Sequence, residues 1–376
     1  MLLAASLTVM SSATISPSLP MISKVFGNYE NVLVLTKLVL TMPALFIVFS
    51  GMFIGALVNK FGRIKVLNVS LFLYATAGSS GYWADNLYTI LVGRAFLGVA
   101  VGGITTVIST LSGDYFHGEE RHQFSSTQGV FMALGGVVFV GLGGFLADIN
   151  WRMPFAIYLF SLVVLLLSVR SLYEPKAETG EHHLKINKSK IPVRNIAGIF
   201  LVMMIGMLLF YLIPVQLPFL LNDLGYRSAS LSGIAIAIST AGGAIGSFAY
   251  ASLKKRLHYR QLFTIAFLFI AVGFIVIGAS GSYALILAGL LVSGFGVGFF
   301  MPNGTLWLLE ITPLAKRSVV MGLFTTTVYL GQFLSPLIVQ PVVNAFSLTT
   351  SFQLFGALAV VLALLQFVIF KSEKRF

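Results

Sequence analysis

The chain contains no cysteine, which removes disulfides, thiolate metal sites and thiol nucleophiles from consideration. Charge is scarce too. Asp, Glu, Lys and Arg make up 10% of the 376 residues, where a water-soluble domain carries roughly 25%, so a solvated surface cannot be built from this inventory. The phosphate-cradling string G-x-x-x-x-G-K-[ST] does not occur, nor does any Gly-Lys dipeptide, which excludes a nucleotide-driven pump within this chain. The five histidines (His117, His122, His182, His183 and His258) all fall in polar connections, at spacings that suit neither a metal nor a triad. The adjacent His182 and His183 read as a solvated pair. An enzyme, a cofactor and a metal centre are all unexpected.

What the chain has instead is apolar length. Hydrophobic residues make up 57%, with Phe 33 and Gly 37, the mixture expected where phenylalanine faces lipid and glycine sits at helix contacts. Crossing roughly 30 Å of hydrocarbon takes about 20 helical residues. Twelve apolar runs of that order are legible, near residues 2–22, 34–58, 66–84, 87–112, 124–147, 153–172, 195–220, 229–252, 261–279, 283–308, 318–343 and 349–370. The fourth, tenth and eleventh are long enough to contain tilts or kinks. The first has no basic leader or small-residue cleavage site and reads as a retained span, not a signal peptide.

The basic residues orient these spans. Only Lys24, Lys37, Arg152 and Arg227 fall on odd-to-even connections, and Arg94 lies inside a span. The other nineteen of the 24 Lys and Arg fall in even-to-odd loops, a central polar stretch or the tail. That asymmetry predicts that those loops and both termini are cytoplasmic. It also accounts for the net charge of +12 without a nucleic-acid partner. The polar stretch 173–194 divides the chain into two six-span halves, 1–172 and 195–376.

The halves repeat. An offset of 196 places Gly98 on Gly294, Gly102 on Gly298, Asp114 on Glu310, Arg121 on Arg317 and Gly135 on Gly331. With only twelve acids in the chain, the acidic match is the informative one. Between spans two and three the chain reads GALVNKFGRIKVL, Gly55 to Leu67, with small residues (Gly51, Gly55, Ala56) suited to close helix approach and Gly62 suited to a tight reversal. Gly55, Leu57, Gly62, Arg63 and Lys65 of this string resemble the loop signature of the major facilitator superfamily, and the parallel repeat is similar to that family's architecture. The resemblance implies an all-α polytopic membrane protein, with twelve transmembrane helices in two six-helix pseudo-repeats. LVGRAFLGVAVGG around Arg94, WRMPF (Trp151–Phe155) and the glycine-rich fifth span resemble the bacterial drug-exporter-like branch. The family's Gly-Pro pair in that fifth span is missing, since Phe139 and Val140 stand there, and Gly143 and Gly144 read as packing sites against spans one and eight.

Ionisable groups inside a membrane are costly and so are functional candidates. Arg94 is the first, read as a coupling residue or as a structural arginine bonding spans one and two. Lys37 is the second, read as snorkelling to the outer headgroups or as giving a central cavity a positive character. Uncharged candidates for a substrate cavity are Ser12, Thr41, Gln128, Tyr211, Gln216, Asn303, Trp307, Tyr329 and Gln332. A cytoplasmic gate is expected from Gly55, Asn59, Lys60, Gly62 and Arg63 with Asp114 and Arg121, and in the second half from Arg256, Glu310 and Arg317, each acid pairing with nearby bases. Asn59 stands where the family usually has aspartate. It offers no charge to a helix end, so the first gate is expected to be weak. No carboxylate falls at a membrane midplane, which argues against a strongly cationic substrate.

The expected function is secondary active transport of a small organic solute by alternating access, with efflux of drug-like or amphipathic compounds first. Uptake or exchange of an anionic metabolite is the alternative. A receptor or scaffold calls for a large soluble domain, which the sequence does not show. The expected setting is the bacterial cytoplasmic (inner) membrane, as a monomer in the lipid bilayer, with protons as the candidate coupling ion.

Overall fold

The computed structural model describes residues 1–175 and 192–373. Most of the central polar stretch, with His182, His183 and the last three residues, lies outside them. Among the described residues every regular element is a helix, as a backbone surrounded by hydrocarbon requires, because only intrahelical bonds satisfy each N–H and C=O locally.

The chain forms two compact units. The first comprises Met1–Gly180 with Leu217–Ile234. It contains α1 (Leu2–Ala13), α2 (Leu19–Val25), α3 (Val32–Phe61), α4 (Arg63–Trp83), α5 (Leu87–Tyr115), α6 (Gly118–Ile149), α7 (Met153–Ala156) and α8 (Phe160–Ser171). Helix α5 packs on both α3 and α4, α1 on α6, and α4 on α8. The second comprises Glu181–Gln216 with Ala235–Phe376. It draws on α9 (Val193–Asp223), α10 (Ala229–Lys254), α11 (Tyr259–Ala279), α12 (Tyr283–Val297), α13 (Phe300–Ile311), α14 (Arg317–Ala345) and α15 (Leu348–Glu373). Here α11 packs against both α12 and α15.

Among the described residues eleven helical segments are long and apolar enough to cross a membrane. Helix α4 has the length, at 21 residues, but carries Arg63, Lys65, Asn68 and several serines; it completes the twelve expected by position. Of the three long runs in which kinks were expected, only the tenth breaks, where α12 gives way to α13 at Gly298 and Phe299. The first span also breaks. Helix α1 stops at Ala13 and a 3-10 turn over Ser16–Ser18 leads into α2, with Pro17 and Pro20 removing donors on either side of the restart. Large apolar side chains such as Phe53, Val69, Phe145 and Phe248 stand exposed on the helix surfaces, a cost in water and none in lipid.

The repeated glycines mark helix crossings in both units. A Cβ on Gly98 would lie 2.4 Å from the carbonyl oxygen of Pro43, and one on Gly294 would lie 2.1 Å from that of Ser239; Pro43 and Ser239 are themselves related by the offset of 196. Gly143 meets the Thr14 carbonyl at 2.1 Å, and Gly144 approaches Ala229, Ser230 and Gly233, the first-span and eighth-span neighbours expected of them. The loop glycines behave otherwise. Gly51 and Gly55 face open space with nothing within 4 Å, and Ala56 is exposed. Close approach at Gly55 is therefore corrected: α3 meets α5 through Pro43, Ile47 and Ser50 against Gly98 and Gly102.

Candidate functional site

In the first unit, α3 ends at Phe61 and α4 begins at Arg63, so one residue reverses the chain. Gly62 does this with φ +88°, a value a Cβ-bearing residue resists. Arg63 then reaches Asp114 at the end of α5, with Nε 2.6 Å from Oδ2 and Nη2 donating to Oδ1 at 3.4 Å. The expected pairing of Arg63 with Asp114 is present. Lys60 instead lies over the Phe61 ring at 5.3 Å, Asn59 is exposed, and Arg121 is exposed near Gly113. A second carboxylate, missed in the sequence, joins the pair. Glu174 accepts from the Arg63 and Ile64 backbone N–H groups at 2.7 and 2.8 Å, and lies 3.8 Å from Arg63 Nη1. The charge that Asn59 does not offer to this helix end comes from Glu174.

The second unit builds the related place differently. Adding 196 to Arg63 gives Tyr259, and to Asp114 gives Glu310. The Tyr259 hydroxyl donates to Glu310, so a phenol stands where the first unit has a guanidinium. The expected pairing of Glu310 with Arg256 or Lys255 is corrected: among the described residues Glu310 makes no ion pair, and Arg256 is exposed. Arg317 turns back to donate to the Thr312 carbonyl at 3.2 Å. Around Tyr259 the structure gathers residues read from sequence as cavity lining. Trp307 stacks on the Tyr259 ring at 5.5 Å and 3°. Asn303 donates to the Tyr259 carbonyl at 2.9 Å and accepts from the Tyr250 hydroxyl at 3.3 Å. Lys254 sits 3.8 Å over the Tyr259 ring and Arg260 5.3 Å over Trp307. Asn303 and Trp307 thus belong with Glu310.

Tyr259→Phe keeps the stack and deletes the hydroxyl. It is expected to weaken this cluster by about 1 kcal/mol, the usual net value of one hydrogen bond. The check is faster labelling of a cysteine introduced at Leu309 by a maleimide, against a background free of native thiols. Unchanged labelling would show that the hydroxyl holds nothing in place.

Arg94 is fully buried. Its Nε donates to the Val39 carbonyl at 3.1 Å, and its Nη2 to the Ser11 carbonyl at 2.9 Å and the Tyr158 hydroxyl at 2.7 Å. The Tyr158 ring lies 4.7 Å from the guanidinium. Nη1 has no hydrogen-bond partner among the described residues. The guanidinium therefore ties the end of α1 to α3 and to the 3-10 turn after α7. Lys37 does not snorkel outward. It is 1% exposed, and its Nζ lies 4.6 Å over the Phe219 ring, one turn before Asp223 on α9. Next to it the buried hydroxyls of Thr36 and Thr41 have no partner among the described residues.

The remaining candidates are distributed over α1, α6, α9 and α14. Gln128 is half-buried, with Nε2 3.9 Å from the Met132 sulfur. Tyr211 and Gln216 are buried in α9. Tyr329 is half-buried in α14, where the buried Gln332 has an Oε1 without a partner among the described residues. The Ser12 side chain lies outside the described set. At the far end of the first unit Asp148 closes α6 and accepts from the Ser228 hydroxyl at 2.7 Å and the Ala229 and Ser230 N–H groups at 2.6 and 3.0 Å. It caps α10 in the way an N-cap carboxylate does.

Comparison with known proteins bears on this arrangement. The sequence profile described as Major Facilitator Superfamily matches residues 1–258 and 198–375. A Haemophilus influenzae protein whose name assigns it to metabolite transport is 26% identical over 343 residues, covering 84% of this chain and 81% of that protein. The quinolone resistance protein NorA of Staphylococcus aureus is 23% identical over 338 residues, covering 85% of this chain and 83% of its own. Among solved structures, a D-xylose–proton symporter matches with a TM-score of 0.79 at 18% identity, covering 97% of this chain and 95% of that one. The nucleoside transporter NupG matches at 0.79 and 14% identity, covering 98% and 99%. At these identities the solved structures speak to the fold alone.

Proposed function

Because the chain belongs to the Major Facilitator Superfamily, and is a multi-pass secondary transporter of small molecules, we propose that it exports uncharged or amphipathic organic solutes by alternating access. Its setting in this reading is the bacterial cytoplasmic membrane, as a monomer of two six-helix halves, 1–172 and 195–376, joined by the linker 173–194, with both termini inside. The Arg63–Asp114 and Tyr259–Glu310 ends then face the cytoplasm and act as gates.

One observation carries the choice of substrate class. Lys37 and Arg94 are the only buried charged side chains among the described residues, and no carboxylate there is buried. A cation entering the spans meets no counter-charge. An anion finds Arg94 committed to carbonyls and Tyr158, and Lys37 buried over the Phe219 ring. The inventory left for a ligand is uncharged: Thr36, Thr41 and Gln332 have polar atoms without partners among the described residues, and such atoms call for water or a ligand oxygen. The likeness to NorA, a protein named for quinolone resistance, supports export of drug-like compounds. Proton exchange is the proposed coupling, with Asp114 and Glu310 as the candidate carriers.

Lys37→Ala separates export from the runner-up, exchange of an anionic metabolite. Export of neutral compounds from loaded proteoliposomes is expected to stay within about twofold of the parent. If anions are the true cargo, their exchange instead falls at least tenfold, the loss expected when one charged contact worth about 1.5–3 kcal/mol is removed.

A further inference from the structure

Helix α4 starts badly. Its N-cap is Gly62, which has no side chain, and its first turn holds no acid. It opens instead with Arg63 and Lys65, two cations where the helix dipole favours anions. Asn59, the nearest side chain in the preceding turn that can accept a hydrogen bond, is neutral and exposed. Helix α4 is also the one span whose hydropathy falls short of the others, so it has least to spare for an unsatisfied end.

The acid comes from the far side of the unit. Just after α8, the two oxygens of Glu174 take the Arg63 and Ile64 N–H groups separately, at 2.7 and 2.8 Å. The same carboxylate lies 3.8 Å from Arg63 Nη1, opposite the Asp114 contact at 2.6 Å. The guanidinium is thus held between two acids. Tyr173 fixes the neighbouring backbone: its ring stacks on Tyr115 at 4.8 Å, its N–H donates to the Tyr115 oxygen at 3.2 Å, and the Tyr115 hydroxyl donates to its carbonyl. Gly62 leaves room for the approach, since a Cβ there would stand 3.0 Å from the Glu174 oxygen, tighter than an ordinary contact. In the second unit the related helix α11 caps itself, with His258 Nδ1 accepting from Arg260 N–H at 3.4 Å and Gln261 Oε1 from His258 N–H at 2.9 Å. It needs no such visitor.

We propose that Glu174 is a positioning residue for transport, capping α4 from outside the helix and holding Arg63 toward Asp114 so that the first unit's gate closes on a fixed partner. This rests on the chain being a transporter and not on which solute it moves. Tyr173 and Glu174, just after the sixth span, thereby become working parts of the gate in the first half alone.

Amide hydrogen exchange on the purified full chain tests this without any substrate, so its failure is distinct from failure of the export reading. In the unaltered protein the Arg63 and Ile64 amides should exchange at least tenfold more slowly than Glu119 and Glu120 in the first turn of α6, whose N-cap His117 makes no side-chain bond. Equal rates overturn the proposal. In Glu174→Gln the protection of Arg63 and Ile64 should fall about tenfold, and the maximal transport rate of a neutral fluorescent amphiphile should drop severalfold while its affinity by thermal shift stays put. Glu174→Asp should recover part of both. An unchanged exchange rate in Glu174→Gln, or equal damage in the Gln and Asp variants, overturns it as well. Glu119→Gln, which removes one charge from an exposed first turn, should leave Arg63 and Ile64 unaffected.

Discussion

Arg94→Ala is expected to lose about 3–5 kcal/mol of stability, the sum of two or three charge-assisted hydrogen bonds at roughly 1.5–3 kcal/mol each, less what relaxation recovers. The reason lies in the broken first span. Helix α1 stops at Ala13, so its last carbonyls have no donors of their own. The Thr14 hydroxyl serves Met10. Ser11 is served by Arg94 Nη2, and by the Tyr158 hydroxyl at 3.1 Å. Remove the guanidinium and the Ser11 and Val39 carbonyls lose it in a setting with no bulk water to replace it. Arg94→Lys should recover little, because an ammonium cannot reach carbonyls on α1 and α3 while also meeting a phenol on the turn after α7. Tyr158→Phe, which keeps the ring, should cost about 1 kcal/mol. Melting of the detergent-purified variants by intrinsic fluorescence is the check. A variant that melts like the parent but no longer transports would assign Arg94 to coupling instead.

Gly294→Ala is expected to be as damaging, for a steric reason. The new Cβ would lie 2.1 Å from the Ser239 carbonyl oxygen and 3.1 Å from its Cα. These are backbone atoms of α10, which cannot swing aside as a side chain can. Helices α10 and α12 must separate, and with them Gly246 against Phe295 and Gly298 against Gly243, each meeting a backbone oxygen at 2.1 Å. Separation forfeits the close packing that stands in for the hydrophobic effect between helices in lipid; overpacking of this kind typically costs about 1–3 kcal/mol, and more where backbone is involved. Gly322→Ala, with nothing within 4 Å, is the matched control and should behave as the parent. Folded yield and melting temperature decide between them.

The spans and their repeat were legible in the sequence because lipid imposes length and composition directly: twelve runs, and glycines spaced identically in two halves. The pairing of Arg63 with Asp114 followed from an acid at a span end beside a basic loop. The partners supplied by uncharged or distant residues were hidden. Tyr259 stands at the offset that Arg63 predicts, but a search for bases around Glu310 passes over a phenol. Glu174 lies 111 residues from Arg63, in a stretch whose composition reads as linker, and no periodicity brings the two together. Tyr158 carried no signal as the partner of Arg94, since a tyrosine in an apolar run reads as packing. Gly55 shows the reverse case: small residues in a helix licensed a close contact, but the face they occupy turns outward, and a sequence with weak amphipathicity does not say which face that is.

Transport into defined proteoliposomes tests the export of uncharged, amphipathic solutes most directly. The purified chain is reconstituted, a pH gradient is imposed, and the flux of matched neutral, anionic and cationic fluorescent amphiphiles is followed together with internal pH. The expected result is gradient-dependent movement of the neutral probe, little of either ion, and proton flux that appears only when the neutral probe is present. Movement of the anionic probe alone, abolished in Lys37→Ala and without proton flux, would contradict it.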